Sequence, residues 1–577
     1  MTMLTKWGAA LDRSCPLPEY PRPQLRRESF YNLNGVWDYA VTPSGEEPEV
    51  WDGEIVVPFS PEAPLSGAAR GPAKDEYLHY RRGFTLPEGF QKSRVLLHFG
   101  AVDQIAEVFV NGVSAAKHSG GYWPFSADIT SLLREGENIL RVTVRDNADD
   151  PTFAYGKQRY KRGGMWYTAQ SGIWQTVWLE SVPEVYVKSL RITPEFDEAR
   201  VRIELETALE SSTAITCDVR AADGSFVAGS WAKGGVCIVP LPGFRAWTPD
   251  DPYLYTLDIT CGEDRVESYF AMRKFSYVEL GGHKVFGLNN APLFHNGLLD
   301  QGYYPDGLLT PPSDEAMVND IETMKRCGFN MLRKHIKIEP LRWYYHCDRL
   351  GMIVWQDMVS GGQPYSFLHV SALPTLGKVD LPDQDAKPYG RSGVLSRARF
   401  RREMADTVRL LYNCPCIALW TVFNEGWGQF DALEMANELK KLDPTRFIDH
   451  ASGWQDQGYE EMKSRHIYFR PVKLKNDGRA LALTEYGGYI LAVDGHRWTD
   501  KVFGYRICRD SAALAHDYEK LMLGQVLPHI RKEGLTAAVY TQITDVEEEL
   551  NGLMTYDREV LKIPEETLRE INKQLKF

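Results

Sequence analysis

Two carboxylates stand at the ends of short apolar runs. Ile417-Ala418-Leu419-Trp420-Thr421-Val422-Phe423 leads into Asn424-Glu425, and Ala480-Leu481-Ala482-Leu483 leads into Thr484-Glu485-Tyr486-Gly487. Runs of this length and composition predict buried strands. A carboxylate at the C-terminal end of a buried parallel strand lies at the mouth of an α/β barrel, the face that carries the chemistry of such folds. Two carboxyls there, about 5–5.5 Å apart, can break a glycosidic bond in two displacements. One gives and then takes a proton, while the other attacks the anomeric carbon.

The rest of the chain must supply that barrel. Asp314 to Cys327 has helical spacing (Met317, Ile321, Met324) with Ser313 as N-cap, and Leu341 to Leu350 predicts a second helix. Strands are predicted near Leu293-Phe294-His295 and at Asn330–Arg333, Met352–Asp357, Arg446–Asp449, His466–Phe469, Leu481–Thr484 and Ala537–Tyr540. With the run before Asn424 they make the eight strands of a (β/α)8 barrel over 279–577. Before residue 310 no long amphipathic helix is evident. Strand-like runs such as Arg94–Phe99, Ala106–Gly112 with its Asn111-Gly112 turn, and Asn138–Val144 predict a β-sandwich over 1–182. Shorter strands over 183–278, among them Val201–Leu205 and Leu254–Ile259, predict an immunoglobulin-like sandwich. The Gly-, Pro- and Ser-rich stretch 358–399 follows a strand and is expected to be a loop lidding the leaving-group side.

At 577 residues the chain exceeds one ordinary core and implies several domains. Its net charge of -12 argues against nucleic acid or an anionic membrane as partner, and no apolar segment is long enough to span a bilayer. The first residues lack the apolar stretch of a signal peptide, and the nine Cys are scattered, so a cytoplasmic location with reduced thiols is expected. Cys414-Pro415-Cys416 has no second Cys or His pair at zinc spacing, so neither a metal nor any other cofactor is expected. The sequence is compatible with a homo-oligomer.

The chain resembles glycoside hydrolase family 2 over nearly its whole length. Tyr20-Pro21-Arg22-Pro23-Gln24, Leu33-Asn34-Gly35-Val36-Trp37 and Ser171-Gly172-Ile173-Trp174-Gln175 are similar to that family's jelly-roll sugar-binding domain. Trp247-Thr248-Pro249-Asp250-Asp251-Pro252-Tyr253-Leu254-Tyr255 resembles the end of its immunoglobulin-like domain. Asn424-Glu425 resembles its acid/base motif and Glu485-Tyr486-Gly487 its nucleophile motif. The resemblance implies a jelly-roll, an immunoglobulin-like sandwich and a catalytic barrel, and a retaining exo-β-glycosidase acting on an oligosaccharide or glycoside. The large galactosidases of the family have further C-terminal domains and an Arg-Cys-Ser-His-Tyr-Pro run where this chain has Arg333-Lys334-His335-Ile336-Lys337. Trp355-Gln356-Asp357-Met358 is closer to the mannosidase and glucosaminidase members.

On this basis Glu425 is expected to be the acid/base and Glu485 the nucleophile, with Arg333 and Tyr468 supporting the Glu485 charge. Asn424 is expected to hydrogen-bond the sugar 2-hydroxyl, His335 and Asp357 to bind other glycone hydroxyls, and Trp454 to form an apolar wall. Galactose is the expected sugar. A uronate is the first alternative, because Arg333, Lys334 and Lys337 place three cations near one strand end, and mannose or glucosamine stay open through Trp355-Gln356-Asp357. The competing reading from another class is a non-catalytic carbohydrate-binding protein, which the presence of both carboxylates opposes.

Overall fold

A computed structural model describes residues 3–209, 213–375 and 380–577. The chain begins with two facing antiparallel sheets. The larger has six strands and pairs Gly35–Thr42, Gly53–Val57, Tyr77–Thr85, Glu137–Arg145, Ile105–Val110 and Val113–Ser119. The smaller pairs Tyr31–Asn32, Val177–Val182, Arg94–Phe99 and Phe125–Asp128. The hairpin at Asn111-Gly112 is a two-residue turn with both φ positive, +52° and +83°, the geometry that twisted neighbouring strands demand. Trp37, Leu78, Val95, Val108 and Leu140 fill the space between the sheets.

A second sandwich follows, with Val187–Glu195, Arg200–Thr207 and Val236–Pro240 on one side and Phe226–Lys233, Ala214–Arg220, Tyr255–Cys261 and Asp264–Phe270 on the other. Its Tyr255–Cys261 strand alternates buried and half-buried residues, the period of a sheet with one face in the core.

The remainder is a barrel of parallel strands: β1 His295–Asp300, β2 Met331–Lys334, β3 Ile353–Asp357, β4 Ile417–Thr421, β5 Phe447–Asp449, β6 Met462–Ile467, β7 Ala480–Gly487 and β8 Leu535–Thr541. Ladders join them in the order β5-β4-β3-β2-β1-β8-β7-β6, a ring closed except between β5 and β6. Each of the eight runs overlaps a strand, but β1 begins only at His295, the last residue of the Leu293–His295 run, and β6 starts four residues before His466 and ends at Ile467, short of Tyr468 and Phe469. Helix α1, Asp314–Arg326, is capped by the Ser313 hydroxyl, which accepts the Ala316 N–H at 3.2 Å, a contact worth about 1 kcal/mol. Helix α2, Leu341–Leu350, buries Trp343, Tyr344 and Cys347. At the N-terminal end of the barrel a hairpin, Phe275–Leu280 and His283–Leu288, inserts Phe286 against Trp355 and Phe447, with ring centroids 5.9 and 4.3 Å apart. The hairpin thereby packs against the N-terminal end of the barrel.

The 358–399 stretch is not the single loop expected. Leu368–Ala372 and Leu373–Thr375 form helical turns, and from Val394 the chain is already in helix α3, Val394–Leu411. Residues 376–379 of this stretch lie outside the described residues. All nine cysteines are free thiols, and Cys414 and Cys416 are buried.

Candidate active site

Glu425 follows β4 in a tight turn. Its N–H donates to Ser452 O at 2.9 Å and its own carbonyl accepts the Trp454 indole N–H at 2.9 Å. These contacts hold it at φ +53°, a left-handed conformation that costs energy for any residue with a Cβ and collects at functional sites. Glu485 lies on β7 where the register with β8 slips between Leu483 and Tyr486. Such a bulge turns a side chain that regular pleating would send elsewhere. Two residues on, Gly487 has φ +83°, and a Cβ there would stand 2.2 Å from the Tyr540 ring, so the turn away from the strand admits only glycine.

The two carboxylates meet around His466 on β6. One oxygen of each and the His466 Nδ1 lie within 4.8 Å of one another. His466 Nδ1 is 2.9 Å from Glu425 Oε1 and 3.5 Å from Glu485 Oε2, while Nε2 is 3.1 Å from Ser452 Oγ. Burial pushes this imidazole down to about 3, so it is neutral across the ordinary pH range. Among the described residues this is the one set of His, Cys, Asp and Glu side chains with atoms converging at metal-ligand spacing. His466 was not among the residues expected from sequence. Its signal was its place two residues before Tyr468 in a strand run.

Arg333, at the end of β2, is fully buried and organises the floor. Its Nη1 donates to Glu485 Oε1 at 3.1 Å and its Nη2 to Asn424 Oδ1 at 2.8 Å. Its Nε and Nη2 also clamp both oxygens of Asp357 at 3.0 Å each. Burial opposes the guanidinium charge, but Asp357 and Glu485 outweigh it and the pKa rises. Tyr468, one residue beyond β6, donates to Glu485 Oε2 at 2.5 Å. Glu485 thus receives a charge-assisted hydrogen bond on one oxygen and a phenolic one on the other.

Glu425 is held differently. Its side chain is 23% exposed, and burial lifts its carboxyl above the ordinary range against the weaker pull of Lys157, His335 and Arg333. Asp357 goes the opposite way: burial would raise it, but Arg333 and the His335 hydrogen bond at 2.7 Å bring it below the usual value. Both Asp357 oxygens are spent on Arg333 and His335, and the residue is 1% exposed. Asp357 therefore positions those two rather than offering itself to a sugar hydroxyl. Trp454 stands edge-on to His466 with centroids 5.6 Å apart, and its indole N–H reaches both Glu425 O and Val370 O at 2.9 Å. The helical turn at Leu368–Ala372 is thus tied to the turn that carries Glu425.

Two of the three cations offered for a uronate are consumed elsewhere. Lys334 Nζ binds Asp300 and Glu339 at 2.7 and 2.8 Å, and Lys337 Nζ binds Glu339, Gly302 O and Leu309 O. Both are buried. The third, Arg333, is saturated by the four contacts above and a fifth from Nη1 to Thr484 O at 3.2 Å.

One wall of the mouth comes from the first sandwich. Tyr155 and Gly156 N–H both donate to Ser360 O, at 3.1 and 2.9 Å, and Tyr155 Oη donates to Gly362 O at 2.8 Å. Tyr167 Oη donates to Glu549, and Thr168 N–H donates to Glu547 Oε1 at 2.8 Å. At Gly156, φ +64°, a Cβ would lie 3.0 Å from Ile336 O, so the close approach of the wall to the barrel needs glycine.

A parallel barrel fronted by two β-sandwiches, with two carboxylates at its C-terminal mouth, defines a modular (β/α)8 protein of carbohydrate-enzyme type. Models described as the glycosyl hydrolases family 2 sugar binding domain, glycosyl hydrolases family 2, and the glycosyl hydrolases family 2 TIM barrel domain match residues 64–183, 185–273 and 311–474. The chain belongs to glycoside hydrolase family 2. It is 25% identical over 387 residues to a β-galactosidase of Thermoanaerobacter pseudethanolicus, covering 64% of this chain and 47% of that one. It is 24% identical over 510 residues to the human β-glucuronidase, covering 78% of this chain and 73% of the relative. The fold is similar to that of a β-glucuronidase from an uncultured Clostridium species, with TM-score 0.75, 19% identity, and coverage of 96% and 99% of the two chains. The chain spans less than half the length of several curated relatives it matches, 47%, 45% and 37% for three of them.

Proposed function

We propose that the chain is a retaining β-glycosidase that removes a terminal β-linked sugar. The observation that carries this is the pair of carboxylates at the barrel mouth, with oxygens inside 4.8 Å and different partners, Arg333 and Tyr468 on Glu485 and His466 on Glu425. Glu485, charged and supported by Arg333 and Tyr468, attacks the anomeric carbon. Glu425, whose carboxyl burial raises above the ordinary range, protonates the departing oxygen. Once Glu485 is esterified its charge is gone, so Glu425 ionises and draws a proton from the incoming water. Arg333 donates to Asn424 Oδ1, which turns the Asn424 NH₂ outward as a donor for the sugar 2-hydroxyl. His335, with Nδ1 on Asp357, offers Nε2 to another hydroxyl. His466 positions Glu425.

A galactoside and a uronide are the two sugar readings. Relatives bearing both names match the chain, and the second gains from Lys157, treated below. A panel of 4-nitrophenyl β-glycosides tests the function, with NMR of the first-formed product. Hydrolysis with the β-sugar appearing before mutarotation is expected. No release from any β-glycoside, or an α-sugar first, would overturn it.

His466→Ala is expected to lower kcat on an alkyl glycoside by about 2- to 10-fold, the scale of losing one hydrogen bond between neutral groups. It should lower kcat less on a nitrophenyl glycoside, whose leaving group needs little protonation. Equal losses on the two substrates would remove His466 from the acid/base step.

A further inference from the structure

Lys157 has a largely buried side chain and no counter-ion among the described residues. It is 9% exposed, and among the described residues its ammonium donates no hydrogen bond and has no carboxylate within ion-pair distance. It belongs to the sandwich wall, next to Gly156, which is fixed to Ser360 O. Its Nζ lies 5.6 Å from the centroid of the Trp166 ring, and Trp166 packs edge-on against Trp427, centroids 5.0 Å apart. Trp427 is two residues past Glu425. The positive charge of Lys157 draws down the carboxyls of Glu425 and Glu549 and disfavours a proton on His335, so it acts on the side of the mouth that those three enclose. The other lysines near this mouth, Lys334 and Lys337, are tied to Asp300 and Glu339.

An ammonium at the rim of a cleft with no carboxylate at ion-pair distance can take one from a ligand as a charge-assisted partner. Among the described residues none lies at ion-pair distance of Lys157. We propose that Lys157, contributed by the first sandwich, is the specificity residue that pairs with the carboxylate of a uronic acid glycone. This rests on the glycosidase reading and names the sugar class that the reading left between two. The ring hydroxyls then fall to Asn424 and His335, and the carboxylate to a residue of another domain. A neutral hexose would leave Lys157 unpaired, which is the basis of discrimination.

The test compares wild type with Lys157→Gln and Lys157→Arg on 4-nitrophenyl β-glucuronide, β-galacturonide and β-galactoside, with melting temperatures to confirm folding. Wild type is expected to prefer a uronide. Lys157→Gln should cut kcat/KM on that uronide about 10- to 100-fold, mostly through KM, and leave the galactoside within about threefold. Lys157→Arg should recover part of the loss. A wild type that cleaves only the neutral sugar, or a Lys157→Gln variant that loses both substrates equally, overturns the Lys157 assignment and leaves the glycosidase reading standing. A wild type that cleaves no β-glycoside overturns both.

Discussion

Glu485→Gln should fold like the wild type and turn over almost no substrate. The amide has the shape of the carboxylate, and its oxygen still accepts from Arg333 Nη1, now 3.1 Å away. Arg333 also keeps its two hydrogen bonds to Asp357, so no buried charge is stranded and the melting temperature should move little. What disappears is the ester: a neutral amide cannot attack the anomeric carbon, and covalent catalysis is worth several orders of magnitude. Azide should restore no product of the starting anomeric configuration. Retention of more than about a tenth of wild-type kcat, an effect below roughly 1.4 kcal/mol, would rule Glu485 out as nucleophile.

Glu425→Ala should split substrates by their leaving groups. A nitrophenolate departs without a proton, so glycosylation suffers little, whereas an alkyl glycoside should lose almost all activity. Deglycosylation then limits turnover of the nitrophenyl substrate. Azide, needing no general base, should accelerate it and yield a β-glycosyl azide. The pH profile follows from the same residue. Burial raises the Glu425 carboxyl, so in the wild type the acid form survives to higher pH than an ordinary carboxyl would allow. Activity falls on the basic side as that proton is lost, and on the acidic side as the nucleophile is protonated. The limbs belong to the coupled pair. In Glu425→Ala the basic limb should flatten while the acidic limb remains. Equal losses on both substrates, an unresponsive azide assay and an intact basic limb would together exclude the acid/base role.

The barrel was legible because its strands are short apolar runs, and both carboxylates because they end two of those runs. The exceptions have physical causes. The β6 strand alternates, with Lys463 and Arg465 half-buried between buried neighbours, so its apolar signal reached only its last residues and His466 was taken for part of the frame. The turns at Leu368–Ala372 and Leu373–Thr375 sit among Gly, Pro and Ser, a composition that predicts loop. The Asp357 network was invisible because a strand pattern gives the end on which a side chain lies, not the Arg333 and His335 contacts that use up its oxygens. Lys157 carries no periodic signal at all. Its place depends on residues 155–168 meeting segments near 360 and 547–549, and such pairings are set by tertiary packing.

That last union also bears on when activity can begin during synthesis. Tyr167 and Thr168 find their partners in Glu549 and Glu547, 382 and 379 residues downstream. Domains generally fold from the N-terminus as they leave the ribosome, so the first sandwich can form long before its barrel partners exist. Its wall stays undocked until the last barrel strand and the turn after it have emerged. A nascent chain halted before residue 547 would carry both catalytic carboxylates and a folded sandwich, yet present an open-sided cleft with Lys157 in water.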